Sequence, residues 1–299
     1  MVQAINLPNM KRIAVYSASR LYYEAVVPSV KSMLTNGNID EVWIMTQDDY
    51  LPFWVPDNVH VLNVSNQPWF KPGTPNYRNE YSFICMVRTA LAKLFPDADR
   101  ILALDADTII LEDISGLWDL DMTDTYLAGV PEFRLSAERG YPYINMGVGF
   151  WNLAKVREDH LDDRMIEALN KKRYQWLEQD CINEFCKGHV IPIDPGYNYS
   201  WFCEETKKVR ILHLCAMPNW REHELVMKYN AVDWEQKPIV LYVCDGKKPC
   251  ADSPGCFMNG GECNHTRDEN HARYKTNERH ESVHVGNNGS VTFWEEVNA

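Results

Sequence analysis

The chain has 299 residues, enough for one large domain or a domain with an appendage. Its 45% hydrophobic and 24% charged content fits a folded globular protein. Lys and Arg number 30 against 42 Asp and Glu, a formal net charge of -12, which argues against a generic nucleic-acid-binding surface, since that needs a basic footprint.

The N-terminal stretch MVQAINLPNMKRIAVYSAS has too short an apolar run for a signal peptide, broken by Asn6, Pro8 and Asn9. No run is long and apolar enough to cross a bilayer, so the expectation is a cytoplasmic chain without a transmembrane segment. RIAVYS (12–17) reads as a buried strand, residues 22–36 as a helix closed by Asn36-Gly37, and EVWIMT (41–46) and VHVLNV (59–64) as further strands. Alternation of strand and helix predicts an α/β fold, a sheet covered by helices. A Pro-rich connector leads to helical periodicity over 82–95, through Ile84, Val87, Leu91 and Leu94. RILAL (100–104) is a buried strand that stops abruptly at Asp105-Ala106-Asp107, and 108–111 resumes as apolar chain. Later strands are expected over 125–130, 148–153 and 209–214. Cys85, Cys181, Cys186, Cys203 and Cys215 sit in apolar surroundings and read as buried free thiols. Asn-x-Ser/Thr sequons at Asn63, Asn198, Asn264 and Asn288 carry no meaning in a cytosolic chain.

The segment ILALDADTII is the most informative. Ligands of open α/β sheets gather at the carboxyl ends of strands, where this acidic pair falls. In an extended chain, residues two apart share a face, so Asp105 and Asp107 would point the same way. Two such carboxylates repel unless a cation lies between them, and Mg²⁺ or Mn²⁺ is commonly held by carboxylates plus substrate phosphates. An acidic turn at a strand end is the bland alternative.

LDADTIILEDISGLWDL, YINMGVGFWNLAKVR, WLEQDCINEF and ILHLCAMPNW, in that order, resemble the retaining glycosyltransferases of family 8, over roughly residues 12–220. That family includes glycogenin and the bacterial lipopolysaccharide galactosyltransferases. The resemblance implies a GT-A-type, Rossmann-like mixed sheet flanked by helices, with a nucleotide-sugar donor carried on UDP. It implies that Asp105, Asp107 and His213 hold Mn²⁺ (or Mg²⁺) against the donor diphosphate. Arg88, Tyr22, Asn145, Gly147, Asp105, Ala106 and Asn219 would line the donor site, Tyr22 against the base. Gly147 reads as a place where backbone comes close to a ligand. Glu178, Gln179 and Asp180 match the family's acidic-Gln-Asp block, in which the first residue binds the sugar and the Gln faces away from the leaving group. An amide is a poor nucleophile, so the block favours front-face attack with retention. The acceptor is left open.

Two departures stand out. Ser19-Arg20 replaces an acidic residue that the family carries after the first strand, and the late block lacks the family's Gly (here Ala216) and Lys-Pro. Arg221 is the nearest substitute for the lost lysine. From about residue 238 the chain turns rich in Gly, Pro, Cys and His. The expected organisation is therefore a glycosyltransferase domain over 1–237 and a Cys/His-rich module over 238–299. A structural Zn²⁺ on Cys250, Cys256, Cys263 and His265 is weighed there against disulfides and a disordered tail. The alternatives for the whole chain are a haloacid-dehalogenase-type phosphohydrolase with Asp105 as nucleophile, and a catalytically inactive transferase-like binding protein.

Overall fold

A computed structural model of the chain describes residues 11–48, 51, 53, 55–232, 241–242, 282–285 and 291–294. Its first half alternates strand and helix: β1 (Ile13–Ser17), α1 (Tyr23–Asn36), β2 (Glu41–Thr46), β3 (Val59–Asn63), α2 (Glu80–Met86), α3 (Leu91–Leu94) and β4 (Arg100–Asp105). There follow β5 (Thr108–Ile110), β6 (Leu127–Pro131), α4 (Phe133–Arg139), β7 (Ile144–Asn152), α5 (Leu153–Glu158), α6 (Leu161–Lys171), α7 (Leu177–Phe185), β8 (Val190–Pro192), β9 (Ile211–His213) and α8 (Glu224–Asn230). The last strands are β10 (Leu241–Tyr242), β11 (Ser282–Val285) and β12 (Val291–Trp294).

One sheet runs in the order β10-β3-β2-β1-β4-β7-β6-β8. Strands β10, β3, β2, β1 and β4 are parallel, and β7 is antiparallel to both β4 and β6. The sheet is thus mixed, as the fold class required. Its central strands are apolar on both faces because each face carries a core. Ala14, Tyr16, Leu102 and Leu104 pack with Val26, Val30 and Met33 of α1 on one side. Ile13, Val15, Ile101 and Ala103 pack with residues of α3, α6 and α7, such as Leu94, Leu169 and Ile182, on the other. Among the described residues, no helix is long and apolar enough to cross a membrane.

Several expectations need adjustment. The single helix expected over 82–95 is three pieces, α2, a 3₁₀ turn Val87–Ala90, and α3, and that tightened turn carries Arg88. Such a turn within a helical run commonly accompanies a functional constraint. The strand expected from 148 begins at Ile144, so the whole NMGVG segment belongs to β7. Asp107 is not in an extended strand: β4 ends at Asp105, and Ala106 and Asp107 form a turn before β5. Cys85, Cys181 and Cys186 are buried free thiols as expected, whereas Cys203 and Cys215 are only partly covered. Both sides of the 237/238 boundary lie outside the described residues, while β10 pairs with β3 at the sheet edge.

Candidate active site

The site forms where β4 ends. The antiparallel pair β5–β9 sets Thr108 opposite His213, and the Leu214 N–H donates to the Asp107 carbonyl at 2.9 Å. This register carries the imidazole to the acidic turn. His213 Nε2 lies 3.7 Å from an Asp105 oxygen and 3.3 Å from an Asp107 oxygen. One ligand atom from each residue falls within 4.8 Å of the others. Neighbouring ligands of a divalent ion bound at about 2.1 Å lie about 3 Å apart, and the 3.3 Å between His213 and Asp107 is already close to that spacing. Two carboxylates and one imidazole form a donor set that could hold a divalent metal ion. Burial raises the Asp107 carboxyl's pKa, but its hydrogen bond and charge interaction with His213 lower it further, and the net direction is down.

Arg88 is buried at 4% exposure and is not on a solvated helix face. Its Nη1 donates to Asp105 (2.7 Å) and to the Met146 carbonyl (2.8 Å), and its Nη2 donates to Glu178 (2.7 Å). One guanidinium therefore orients the Asp105 carboxylate and neutralises a second, buried one. Desolvation pushes the Glu178 pKa up, only partly opposed by the charge of Arg88. Glu178 follows Leu177, whose φ of 48° is strained for a branched side chain.

The remaining residues of the EQD block are tied down. Gln179 accepts from the Met146 N–H (2.9 Å) and donates to Glu132 (3.0 Å). Asp180 accepts from the Tyr143 hydroxyl (2.8 Å), Arg139 (3.1 Å) and the Trp176 N–H (2.9 Å). Asn145 donates to the same Glu132 oxygen at 2.8 Å. Gly147 has a close protein neighbour in His213. A Cβ there would sit 2.1 Å from Cε1 of His213, so the missing side chain makes room for the imidazole. Glu132 and Asn198 escaped the sequence reading. Glu132 had no motif around it, and Asn198 drew notice only as a sequon, yet it is fully buried and bonds both Asn145 and His213.

On the other side of the acidic turn, the Tyr22 ring packs against Tyr81 at 5.6 Å. Burial raises its hydroxyl's pKa, with smaller contributions from Cys85, Asp107 and Asp105. Near Ser19-Arg20, where the family carries an acidic residue, Asp48, just past β2, accepts from the Arg20 N–H and the Tyr23 hydroxyl, each at 2.7 Å. Ala106 is buried within the turn, and Asn219 is exposed past β9. Ala216, where the family has Gly, adopts the left-handed φ of 57°, so the turn survives the substitution. Arg221, the nearest substitute for the lost lysine, is exposed, pairs with Glu24 at 2.5 Å and lies over the Trp220 ring. Cys250, Cys256, Cys263 and His265 lie outside the described residues.

Residues 15–216 match glycosyl transferase family 8. A putative glycosyltransferase of Haemophilus influenzae is 27% identical over 149 residues, 46% of this chain and 45% of that protein. The fold is shared with the glycosyltransferase GlyE of Streptococcus pneumoniae at TM-score 0.58 and 19% identity, over 76% of this chain and 62% of that one. It is also shared with the galactosyltransferase LgtC, solved with donor and acceptor sugar analogues, at TM-score 0.56 and 18% identity, over 73% and 94%. The chain spans between 29% and 52% of the length of the curated relatives it matches. The match begins inside β1 and ends at Ala216, so it takes in the acidic turn, Arg88, the EQD block and His213; the chain belongs to glycosyl transferase family 8.

Proposed function

We propose that this chain transfers a hexose from a UDP-sugar to an acceptor hydroxyl, with retention, at a centre where Asp105, Asp107 and His213 hold Mn²⁺ or Mg²⁺. The observation that carries this reading is the convergence of those three side chains at the carboxyl end of β4. A divalent ion held by Asp105, Asp107 and His213 would supply Lewis-acid stabilisation of negative charge on a departing diphosphate, an effect worth several kcal/mol in the transition state.

The protein's own groups divide the remaining work. Arg88 holds Asp105 in its ligating orientation and offsets Glu178, so the site is not flooded with uncompensated negative charge. Tyr22 offers a ring to the base, and Asp48 a carboxylate on the nucleotide side. Asn145, Glu132 and Gln179 form one hydrogen-bonded group for the sugar. The bond from C1 to the β-phosphate oxygen breaks, the acceptor oxygen bonds C1 on the same face, and the acceptor's proton passes to the departing phosphate oxygen. Front-face attack is supported by the state of the EQD block. The Gln179 oxygen is already an acceptor, and the Glu178 and Asp180 carboxylates are tied to Arg88, Arg139 and Tyr143. Covalent catalysis needs a carboxylate free to reach C1.

The test is UDP release from a panel of UDP-sugars by the full chain, with and without Mn²⁺. Metal-dependent UDP release is expected. Phosphate release from simple esters without UDP release would establish the phosphohydrolase instead, and a glycosyl adduct on Glu132, Glu178 or Asp180 would overturn front-face attack.

A further inference from the structure

We infer that Asn198 is a positioning residue that selects which nitrogen of His213 meets the metal and ties that choice to the sugar-binding amides. The inference rests on the metal centre proposed above.

A chain of hydrogen bonds fixes the assignment from one unambiguous donor. The Gly147 backbone N–H can only donate, and it lies 2.9 Å from Asn145 Oδ1, which is therefore an acceptor. Asn145 Nδ2 then faces the Glu132 carboxylate, which can only accept while ionised. Asn198 presents an amide nitrogen to Asn145 Oδ1 at 3.0 Å, and that must be its NH₂ end. Its oxygen is left for His213 Nδ1 at 2.9 Å, so Nδ1 carries a proton. The other nitrogen, Nε2, faces Asp105 and Asp107 and is the one available to a cation.

Asn198 is fully buried, so water cannot replace it cheaply in this chain. The ring is held on a second side by Phe202, whose centroid lies 5.8 Å away, and on a third by the space left at Gly147. A ligating histidine with its far nitrogen bonded to a fixed acceptor is the arrangement that sets tautomer and ring angle. Losing such a partner commonly costs about 10–100-fold in metal affinity. Here the acceptor is an amide whose other end grips Asn145, so one residue connects the metal with the residues placed for the sugar.

The experiment titrates Mn²⁺ into the full chain by calorimetry, without nucleotide, for the parent, Asn198→Ala, Asn198→Asp, His213→Ala and the Asn198→Ala/His213→Ala pair. Imidazole nitrogens are followed by ¹⁵N NMR, and thermal melts check folding. Asn198→Ala is expected to weaken Mn²⁺ binding about 10–100-fold and to lose the single Nδ1–H tautomer. Asn198→Asp keeps an acceptor for Nδ1 and should recover most of the affinity, although it can no longer donate to Asn145. In the His213→Ala background, Asn198→Ala should have no further effect on Mn²⁺. Parental affinity in Asn198→Ala, or an equal loss with and without His213, overturns the positioning role while leaving the metal centre standing. A parent chain that takes up no Mn²⁺ overturns the centre, and this inference with it.

Discussion

Gly147 and His213 are in contact across the gap between β7 and β9: a Cβ on the glycine would lie 2.1 Å from Cε1 and 2.5 Å from Nδ1 of the imidazole. The ring cannot swing aside without breaking its 2.9 Å bond to Asn198. Gly147→Ala should therefore displace the imidazole, the proposed metal ligand. The expected result is Mn²⁺ affinity reduced about tenfold or more, with stability lowered by about 1–3 kcal/mol, the usual cost of overpacking. Calorimetric titration and a chemical denaturation curve measure the two effects, and parental affinity in this variant would remove His213 from the ligand set.

Arg88 bonds Asp105 and Glu178 from inside the protein. Removing it strands the Glu178 carboxylate without its partner. Arg88→Leu is expected to cost about 3–5 kcal/mol, as for other broken buried ion pairs, and to lower Mn²⁺ affinity by freeing Asp105. Glu178→Gln should cost less, because an amide can stay buried beside the guanidinium. Equal melting temperatures for parent and Arg88→Leu would contradict the arrangement.

Metal uptake should depend on pH through His213. Burial draws its pKa down, but the hydrogen bond and charge of Asp107, then the charge of Asp105, outweigh burial and leave it above 6.5. A cation needs the neutral ring, so below that raised pKa each ion displaces a proton. Affinity should fall about tenfold per pH unit on the acid side and level off on the alkaline side. In the metal-free chain, the same shift stabilises the fold fully below the unfolded-state pKa of about 6.5, and this contribution fades as pH rises through the folded value. Melts with and without Mn²⁺ across this interval should diverge as pH increases. Curves that stay parallel would exclude the imidazole as ligand.

Gln179 lies with its amide nitrogen 3.0 Å from Glu132. Gln179→Glu would set two carboxylates side by side. They cannot both ionise comfortably, so one should hold a proton at neutral pH. Stability is expected to drop by about 1–3 kcal/mol at pH 7 and to recover as the pH is lowered toward 5. A loss that is the same at both pH values would mean that the two residues do not share a hydrogen bond.

Ala216 holds a φ of 57°, a conformation that costs a residue with a Cβ roughly 1–2 kcal/mol. Ala216→Gly relieves this, less the extra freedom that glycine gains in the unfolded chain, for a net stabilisation of about 0.5–1 kcal/mol. Denaturant midpoints decide, and a destabilised glycine variant would show that the alanine methyl packs usefully.

Much of the site was legible as spacing. An apolar strand halting at Asp105-Ala106-Asp107 announces a sheet's carboxyl end, and the later blocks supply Asn145, the EQD segment and His213 in order. Both β4 and the strands before it were legible because chain buried on two faces must be continuously apolar. Sequence periodicity merged α2, the 3₁₀ turn and α3 into one helix, since the apolar spacing does not record the tightening around Arg88.

How the partners meet was decided by the tertiary structure. His213 reaches Asp107 through the β5–β9 register, and Asp48 reaches the end of β1 from β2; neither pairing has a local signal. Glu132 and Asn198 are ordinary polar residues in the sequence, and in the folded chain they are the groups that bind Gln179, Asn145 and His213 together. The reason is physical. Periodicity reports which side of an element meets the core, a property of neighbouring residues. A hydrogen-bond partner for a buried polar group is whatever the packing of distant segments brings within about 3 Å.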